Sequence, residues 1–437
     1  MMKRYLLGVV AGVTSALMGA QEPKLEEAKA VEFRYGADLR LRQEAFDNIP
    51  IMPGGVTRGG NNNYFRIRPR AWGGVAFKEI NTSLDFRLIN EFRHKNVGQE
   101  SYKFPDELVL DNLYLTIKDL FVDGSVLRIG RQDAVLGSGR LFADGTAKDG
   151  SRSSYFDGVR LTFPIAEKRV LDIFGFYTQC EDELAIGHEH RDVTGYAGGY
   201  NSMDEVAAGV FYSDRANAAC EYGVYYVWKH DTAWVNAKGD YQDNEDIHTA
   251  GFYLKPKFSD EFSADLELAY QYGESTDYDR NALFACGGLK YTIDPAAGFY
   301  VSANAVYMSG DDSDSTDERE DFNVLFGRYP WISELMIFAY DGDGVGTWNN
   351  LLQCYLETGY TFENKHKVKL TAGPLFAEEK NGAGGGSNRG WLGTAKYSFP
   401  LLDNVNCYVL GEVLDPDDYY NSGKTAYFLR WEIMLKF

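Results

Sequence analysis

Two stretches near the start of the chain place arginine at alternate positions. LRLR supplies Arg40 and Arg42, and YFRIRPRAW supplies Arg66, Arg68 and Arg70. A guanidinium stays charged at any working pH and presents its donors in a planar fork, so a row of them suits carboxylates and phosphates. A longer stretch, GRQDAVLGSGRLFADGTAKDGSRSSYFDGVRL (130–161), carries Arg131, Arg140, Arg152 and Arg160 with Asp149 and Asp157. Its glycines raise the question of a phosphate cradle, which needs a glycine-rich turn opening a helix. Here GSG (137–139) leads into RLFADGTAKDG, which lacks helical periodicity, and neither GK[ST] nor GxGxxG occurs. The pattern argues against a nucleotide site and leaves a basic surface.

Other chemistry is thinly represented. His94, His230, His248 and His366 lie near strand ends without an evident serine partner, so no hydrolase triad is expected and the chain does not read as an enzyme. His188 and His190 form an HxH in an expected outer loop, which reads as surface. DGDGVG (341–346) resembles the start of a calcium loop, but the EF-hand ligand positions 5 and 12 fall on Val345 and Leu352. Asp341 and Asp343 are therefore only candidates for a loop calcium, and no cofactor is expected. The five cysteines, Cys180, Cys220, Cys286, Cys354 and Cys407, are widely spaced with no CxxC, which argues against a disulfide framework or a metal site.

The elements that must carry the arginines repeat with period two. In YFLRWEIMLKF, Trp431, Ile433, Leu435 and Phe437 share one face, while Arg430, Glu432, Met434 and Lys436 share the other. LDFRLINEF sets Leu84, Phe86 and Leu88 against Asp85 and Arg87, and ADLELAYQY sets Leu266, Leu268, Tyr270 and Tyr272 against Asp265, Glu267 and Gln271. About eighteen such segments are expected, each long enough for a tilted spanning strand. They fall near 31–46, 63–77, 81–93, 108–118, 125–133, 155–164, 169–179, 204–213, 218–230, 247–258, 261–273, 281–293, 297–308, 349–362, 366–377, 388–399, 403–414 and 425–437. Every second connection is tight: KEI after Phe77, DRAN before Ala218, SD after Phe258, ENK before His366 and PLL after Phe399. The others are longer. Alternating short turns and long loops are the mark of a transmembrane antiparallel barrel, with short periplasmic turns and long extracellular loops.

The start of the chain fits this compartment. Lys3 and Arg4 precede an apolar run from Leu6 to about Met18 and small residues ending at Ala20, which reads as a signal peptide over 1–20 before a single barrel domain at 21–437. No later run is apolar and long enough for a spanning helix. A sheet in lipid must close on itself to pair its backbone, and with about eighteen strands its interior is expected to be an aqueous channel rather than a packed core. The net charge of −20 argues against nucleic acid as a partner. Much of that charge sits in expected loops, notably GDDSDSTDERED (310–321) and DPDD (415–418).

With apolar faces toward lipid, the lumen receives Arg34, Arg40, Arg42, Arg66, Arg68, Arg70, Arg87, Arg93, Arg128, Arg160, Lys255, Lys290, Lys369, Lys396 and Arg430. Asp38, Glu44, Asp85, Glu91, Asp265, Glu267, Glu357, Glu412 and Glu432 are interleaved with them. An arginine-rich constriction favours anions, whereas arginines neutralised by these carboxylates would give a non-selective pore. A plugged structural or adhesive barrel acting through its acidic loops is the third reading.

The run LDNLYLTIKDL…LRIGRQDAVLGSGRLFADGTAKDGSRSSYFDGVRL resembles the alginate-export outer-membrane porin family in the order of its GRQ, DGT, DGSR and FDGVR submotifs. A second block, YMSGDDSDSTDEREDFNVLFGRYP (307–330), is similar to that family's SGD loop and the segment after it. The resemblance implies an eighteen-stranded monomeric barrel in the bacterial outer membrane. The lumen arginines make passive passage of anionic solutes the leading reading, with acidic, alginate-like oligo- or polysaccharides as candidate cargo, and the resemblance itself does not fix the substrate. The resemblance also assigns Arg131, Arg140, Arg152 and Arg160 to an electropositive pore, with Asp149 and Asp157 ordering the loop. Alternation from Leu127 and Ile129, however, points Arg131 toward lipid unless a bulge intervenes or Arg131 lies beyond the apolar band. The partners expected are outer-membrane lipid or lipopolysaccharide and the anionic solute.

Overall fold

The computed structural model describes residues 30–49, 62–95, 107–143, 156–179, 203–235, 241–312, 314–327, 331–339, 349–382, 384–421 and 423–437. The expected signal peptide lies outside them.

Alternating sequences pair into a single antiparallel sheet. Its strands are β1 (Val31–Asp47), β2 (Asn62–Phe77), β3 (Thr82–Lys95), β4 (Glu107–Lys118), β5 (Val126–Gln132) and β6 (Phe156–Ala166). They continue through β7 (Arg169–Thr178), β8 (Glu205–Asp214), β9 (Cys220–Asp231), β10 (Glu245–Pro256), β11 (Phe262–Ser275) and β12 (Asp279–Asp294). The last six are β13 (Phe299–Met308), β14 (Leu351–Thr361), β15 (Lys367–Phe376), β16 (Asn388–Leu402), β17 (Val405–Asp415) and β18 (Ala426–Lys436). Each strand pairs with its neighbours in sequence, and β18 pairs back onto β1, Asp38 opposite Lys436 through Asp47 opposite Tyr427, so the barrel is closed. Closure leaves no edge strand to be satisfied in lipid.

The expected segments match these strands to within a few residues, with two differences in the connections. PLL is not a turn: β16 continues through it to Leu402, with a register shift between Pro400 and Leu402, and the chain reverses at Asp403–Asn404. The proline sits at that irregularity, where its missing N–H costs no ladder bond. The connection between β11 and β12 spans only residues 276–278, although it lies on the side of the long loops.

The outer surface is apolar, with Leu429 54% and Leu356 68% exposed. Aromatic rings gather toward both ends of the wall. His366, Tyr397 and Phe399 cluster beside the short turns, and Tyr226, His248 and Tyr272 stack toward the other end. Such paired belts are where amphipathic rings meet the two faces of a bilayer.

The interior departs from the expectation of an open channel. Residues 133–143 and the described parts of 309–350 fold inward and meet: Phe142 bridges Phe326, and the Phe326 amide donates to the Leu141 carbonyl at 3.0 Å. Gly327 permits that approach, since a Cβ there would lie 1.8 Å from the Arg140 carbonyl. Phe142 packs among Phe156, Phe174, Phe176, Phe211 and Phe326 at centroid distances of 4.9 to 6.1 Å. Wall strands β6 to β8 thus supply inward rings, and the two loops cover them. Hydrophobic burial of this kind stabilises by about 25 cal/mol per Å², so these rings hold the loops inside. Part of the lumen is a packed core, and a cavity remains against β1, β2 and β14 to β18.

Candidate functional site

The arginine ladders lie where alternation placed them. β1 and β2 run antiparallel with Arg40 directly opposite Arg68 and Arg42 opposite Arg66. Like charges directly across a strand pair are destabilising. They persist here because carboxylates are inserted in the same face. Glu44 accepts from Arg42 at 3.1 Å, from Arg66 at 3.3 Å and from Arg430 of the closing strand at 2.5 Å. Arg42 also reaches Glu432 at 2.8 Å. Asp38 accepts from Arg70 at 2.8 Å and lies 3.7 Å from Arg68. Arg42 and Glu44 are only 2% and 1% exposed, so these are enclosed contacts rather than surface pairs.

The inward loop completes the site. Its single turn of helix, α1 (Glu334–Ala339), docks on the wall through Glu412 of β17. Glu412 accepts from the Ser333 hydroxyl at 2.6 Å and from the Leu335 amide at 2.9 Å, supplying the helix start with acceptors that its own backbone lacks. Glu334 pairs with Arg430. Together these elements enclose a cavity of about 640 Å³. Its wall holds eight cationic side chains, Arg40, Arg42, Arg68, Arg70, Arg430, Lys369, Lys396 and Lys436. It holds four carboxylates, Glu334, Glu357, Glu412 and Glu432, with Trp331, Tyr355 and Tyr408 among the uncharged residues.

The other sequence candidates are distributed around the barrel. Arg87 is clasped by Asp111, by Asn112 at 3.3 Å and by Asp133 at 2.6 Å; a register shift opposite Arg87 lets the consecutive Asp111 and Asn112 both reach it. Arg128 lies over the Tyr114 ring at 5.2 Å and borders a second cavity of about 530 Å³ with Arg34 and Asp85. Arg160 pairs with Asp172 at 2.8 Å. Arg140, on the inward segment 133–143, reaches Asp265 at 2.7 Å and Glu267 at 3.4 Å. Arg93 is in β3 opposite Arg66. Arg152, Asp149, Asp341 and Asp343 lie outside the described residues, as do His188 and His190. Among the described residues no group of three or more His, Cys, Asp or Glu is arranged to hold a metal.

Arg131 and Asp157 are a correction to the pore assignment. They are direct partners across β5 and β6, joined by two bonds of 2.8 Å. Their register neighbours Ile129 and Val159 are the exposed pair of the outer wall. By register Arg131 lies on the side away from the lumen, although it is itself only 3% exposed. Gly130 has φ +121°, and a Cβ there would lie 2.3 Å from the Leu113 carbonyl, so only glycine fits at this close approach of two strands. The pair fastens two strands and does not line the pore.

Sequence reasoning missed Glu334, Trp331 and Ser333, which lie on a loop without periodicity. It also missed Tyr355 and Tyr408, uncharged residues on faces that alternation could have assigned.

Comparison with known proteins agrees with this architecture. Residues 31–374 match the family described as alginate export. No curated protein matches the chain. Among solved structures, Pseudomonas aeruginosa OccK9 (OpdG) superposes with a TM-score of 0.59 at 12% identity, over 92% of this chain and 98% of that one. The outer membrane protein opdK of P. aeruginosa gives 0.56 at 12% identity, over 92% and 99%. A crystal structure of P. aeruginosa OpdK with vanillate gives 0.56 at 12% identity, over 92% and 98%. At such identity the likeness is one of fold.

Proposed function

The chain belongs to the alginate-export family of outer-membrane channels, and on that footing we propose that it passes anionic solutes through the basic half of its lumen. The observation that carries this reading is the excess of cationic over acidic side chains around the 640 Å³ cavity. A low-dielectric wall with a net positive lining lowers the cost of bringing in an anion and raises it for a cation. Arginine forks offer paired donors to carboxylates, and Tyr355, Tyr408 and Trp331 offer apolar surface to the body of an acid. Acidic saccharides and other organic carboxylates fit that lining, and vanillate, the acid in the OpdK structure, is of the latter class. Passage is passive and requires neither cofactor nor catalysis.

Liposome swelling tests this directly. Vesicles containing the protein should swell faster in glucuronate than in glucose, and faster in glucose than in glucosamine. Equal rates for the three would contradict the reading. They would favour the non-selective alternative, which the ion pairs of Arg42, Arg70, Arg87 and Arg160 support.

A further inference from the structure

The smaller cavity, of about 530 Å³, borders the start of β1, the tight turn from β2 to β3, the end of β4 and β5, so it lies at the end of the barrel that carries the short turns. Four cations line it, Arg34, Lys78, Lys118 and Arg128, against two carboxylates, Glu32 and Asp85. Both carboxylates are engaged. Asp85 pairs with Arg34 at 2.8 Å and Glu32 with Lys78 at 3.1 Å. Lys118 and Arg128 have no carboxylate within ion-pair distance among the described residues. Lys118 is exposed, whereas Arg128 is half-buried and its Nε is enclosed without a hydrogen-bond partner. The surroundings of Arg128 add positive charge rather than relieve it. Arg160 stands directly across from it on β6, and Asp172 is taken by Arg160 at 2.8 Å. The Tyr114 ring lies under the Arg128 guanidinium at 5.2 Å and steadies it, but carries no counter-charge. Enclosing a cation without an anion is unfavourable, and an arriving anion offsets that penalty.

We propose that this cavity is a capture subsite for small organic carboxylates, in which Arg128 binds the carboxylate and Lys118 draws it in from the rim. The proposal rests on the anion-channel reading above and adds a second anion site to it. Conduction requires binding favourable enough to admit a solute and divided enough to release it, and two basic sites in series meet both needs. The strands supply the series. Arg34 borders this cavity, and Arg40, on the same face of β1, borders the larger one, ~20 Å further along the strand. Charges at a mouth act chiefly on the rate of arrival, whereas the enclosed arginines of the larger cavity govern how long the solute stays.

The experiment is single-channel recording of the full protein in a planar bilayer, with D-glucuronate as blocker added to one side at a time and glucose as the neutral control. In Arg128→Gln the rate of block should fall about tenfold from one side only, with the blocked dwell time kept. Arg128→Lys, which keeps the charge, should stay close to the wild type. Lys118→Gln, at the exposed rim, should slow block from the same side by a smaller factor. Glucose should block none of them. Unchanged rates in both Arg128→Gln and Lys118→Gln, with the protein still anion-selective, would refute the subsite and leave the channel reading standing. A slower block from both sides, or a changed dwell time, would give Arg128 an effect on the whole pore rather than at one mouth, and the proposal would fail. A wild type that is neither anion-selective nor blocked by glucuronate would overturn the channel reading and, with it, this inference.

Discussion

At the scale of single residues, the site is a set of arginines held in place by a smaller set of carboxylates. Arg40 and Arg68 face each other across β1 and β2, and both border the cavity. Replacing both by glutamate changes the local charge by four units at the centre of the basic lining. The double variant should move the reversal potential under a KCl gradient from the anion side toward the cation side. An unmoved potential would remove these two residues from the selectivity mechanism. Their positions were legible because alternation is strict in LRLR and FRIRPR. What alternation could not convey is partnership. That Glu44 would bind three arginines depends on Arg430, which lies 386 positions away and becomes adjacent only through barrel closure. Arg131 shows the opposite failure, since a motif resemblance assigned it to the pore while its own strand pattern had it facing outward.

At the scale of elements, the inward loop decides how much of the lumen is open, and one clasp ties it to the wall. Arg319 donates to Asp321 at 2.7 Å, Asn349 donates to its other oxygen at 2.7 Å, and Arg280 of β12 reaches both Asp321 and Glu245 of β10. Burial alone would push the Asp321 carboxyl up, but Arg319 and Arg280 outweigh it and hold it down at about 2. A carboxyl depressed in the folded state contributes stability that is complete above its ordinary value of roughly 3.9 and is lost as pH falls toward the folded value. Pepsin should therefore cleave the segment 309–350 increasingly between about pH 4 and pH 2. Asp321→Asn should show susceptibility that varies less over that interval. A wild-type loop protected equally at both pH values would contradict the clasp. The strands around this loop were readable because β-structure writes its period into the sequence. The loop was not, because its buried Phe322, Leu325, Phe326, Leu335 and Met336 follow no period and answer to partners scattered around the wall, Phe326 to Phe156 of β6 and Phe322 to Phe284 of β12.

At the scale of the whole molecule, a closed eighteen-stranded wall in the outer membrane carries a basic cavity that is off-centre. Rings from β6 to β8 and both inward loops fill part of the lumen, and the basic cavity lies against β1, β2 and β14 to β18. The overall charge of −20 conceals this, since acids such as Asp311, Asp312, Asp314, Asp317 and Glu318 lie on a loop rather than on the strands that form the channel. Strand number, closure and polarity followed from alternation and connection length. The eccentric placement of the basic cavity did not, because it arises from tertiary packing of loops. The measurement that tests the central claim most directly is the reversal potential of the purified protein in a planar bilayer under a KCl gradient. The excess of cationic side chains around the cavity predicts a clearly anion-selective value. A value at zero or on the cation side would contradict it, and would mean that the carboxylates paired with these arginines cancel their field.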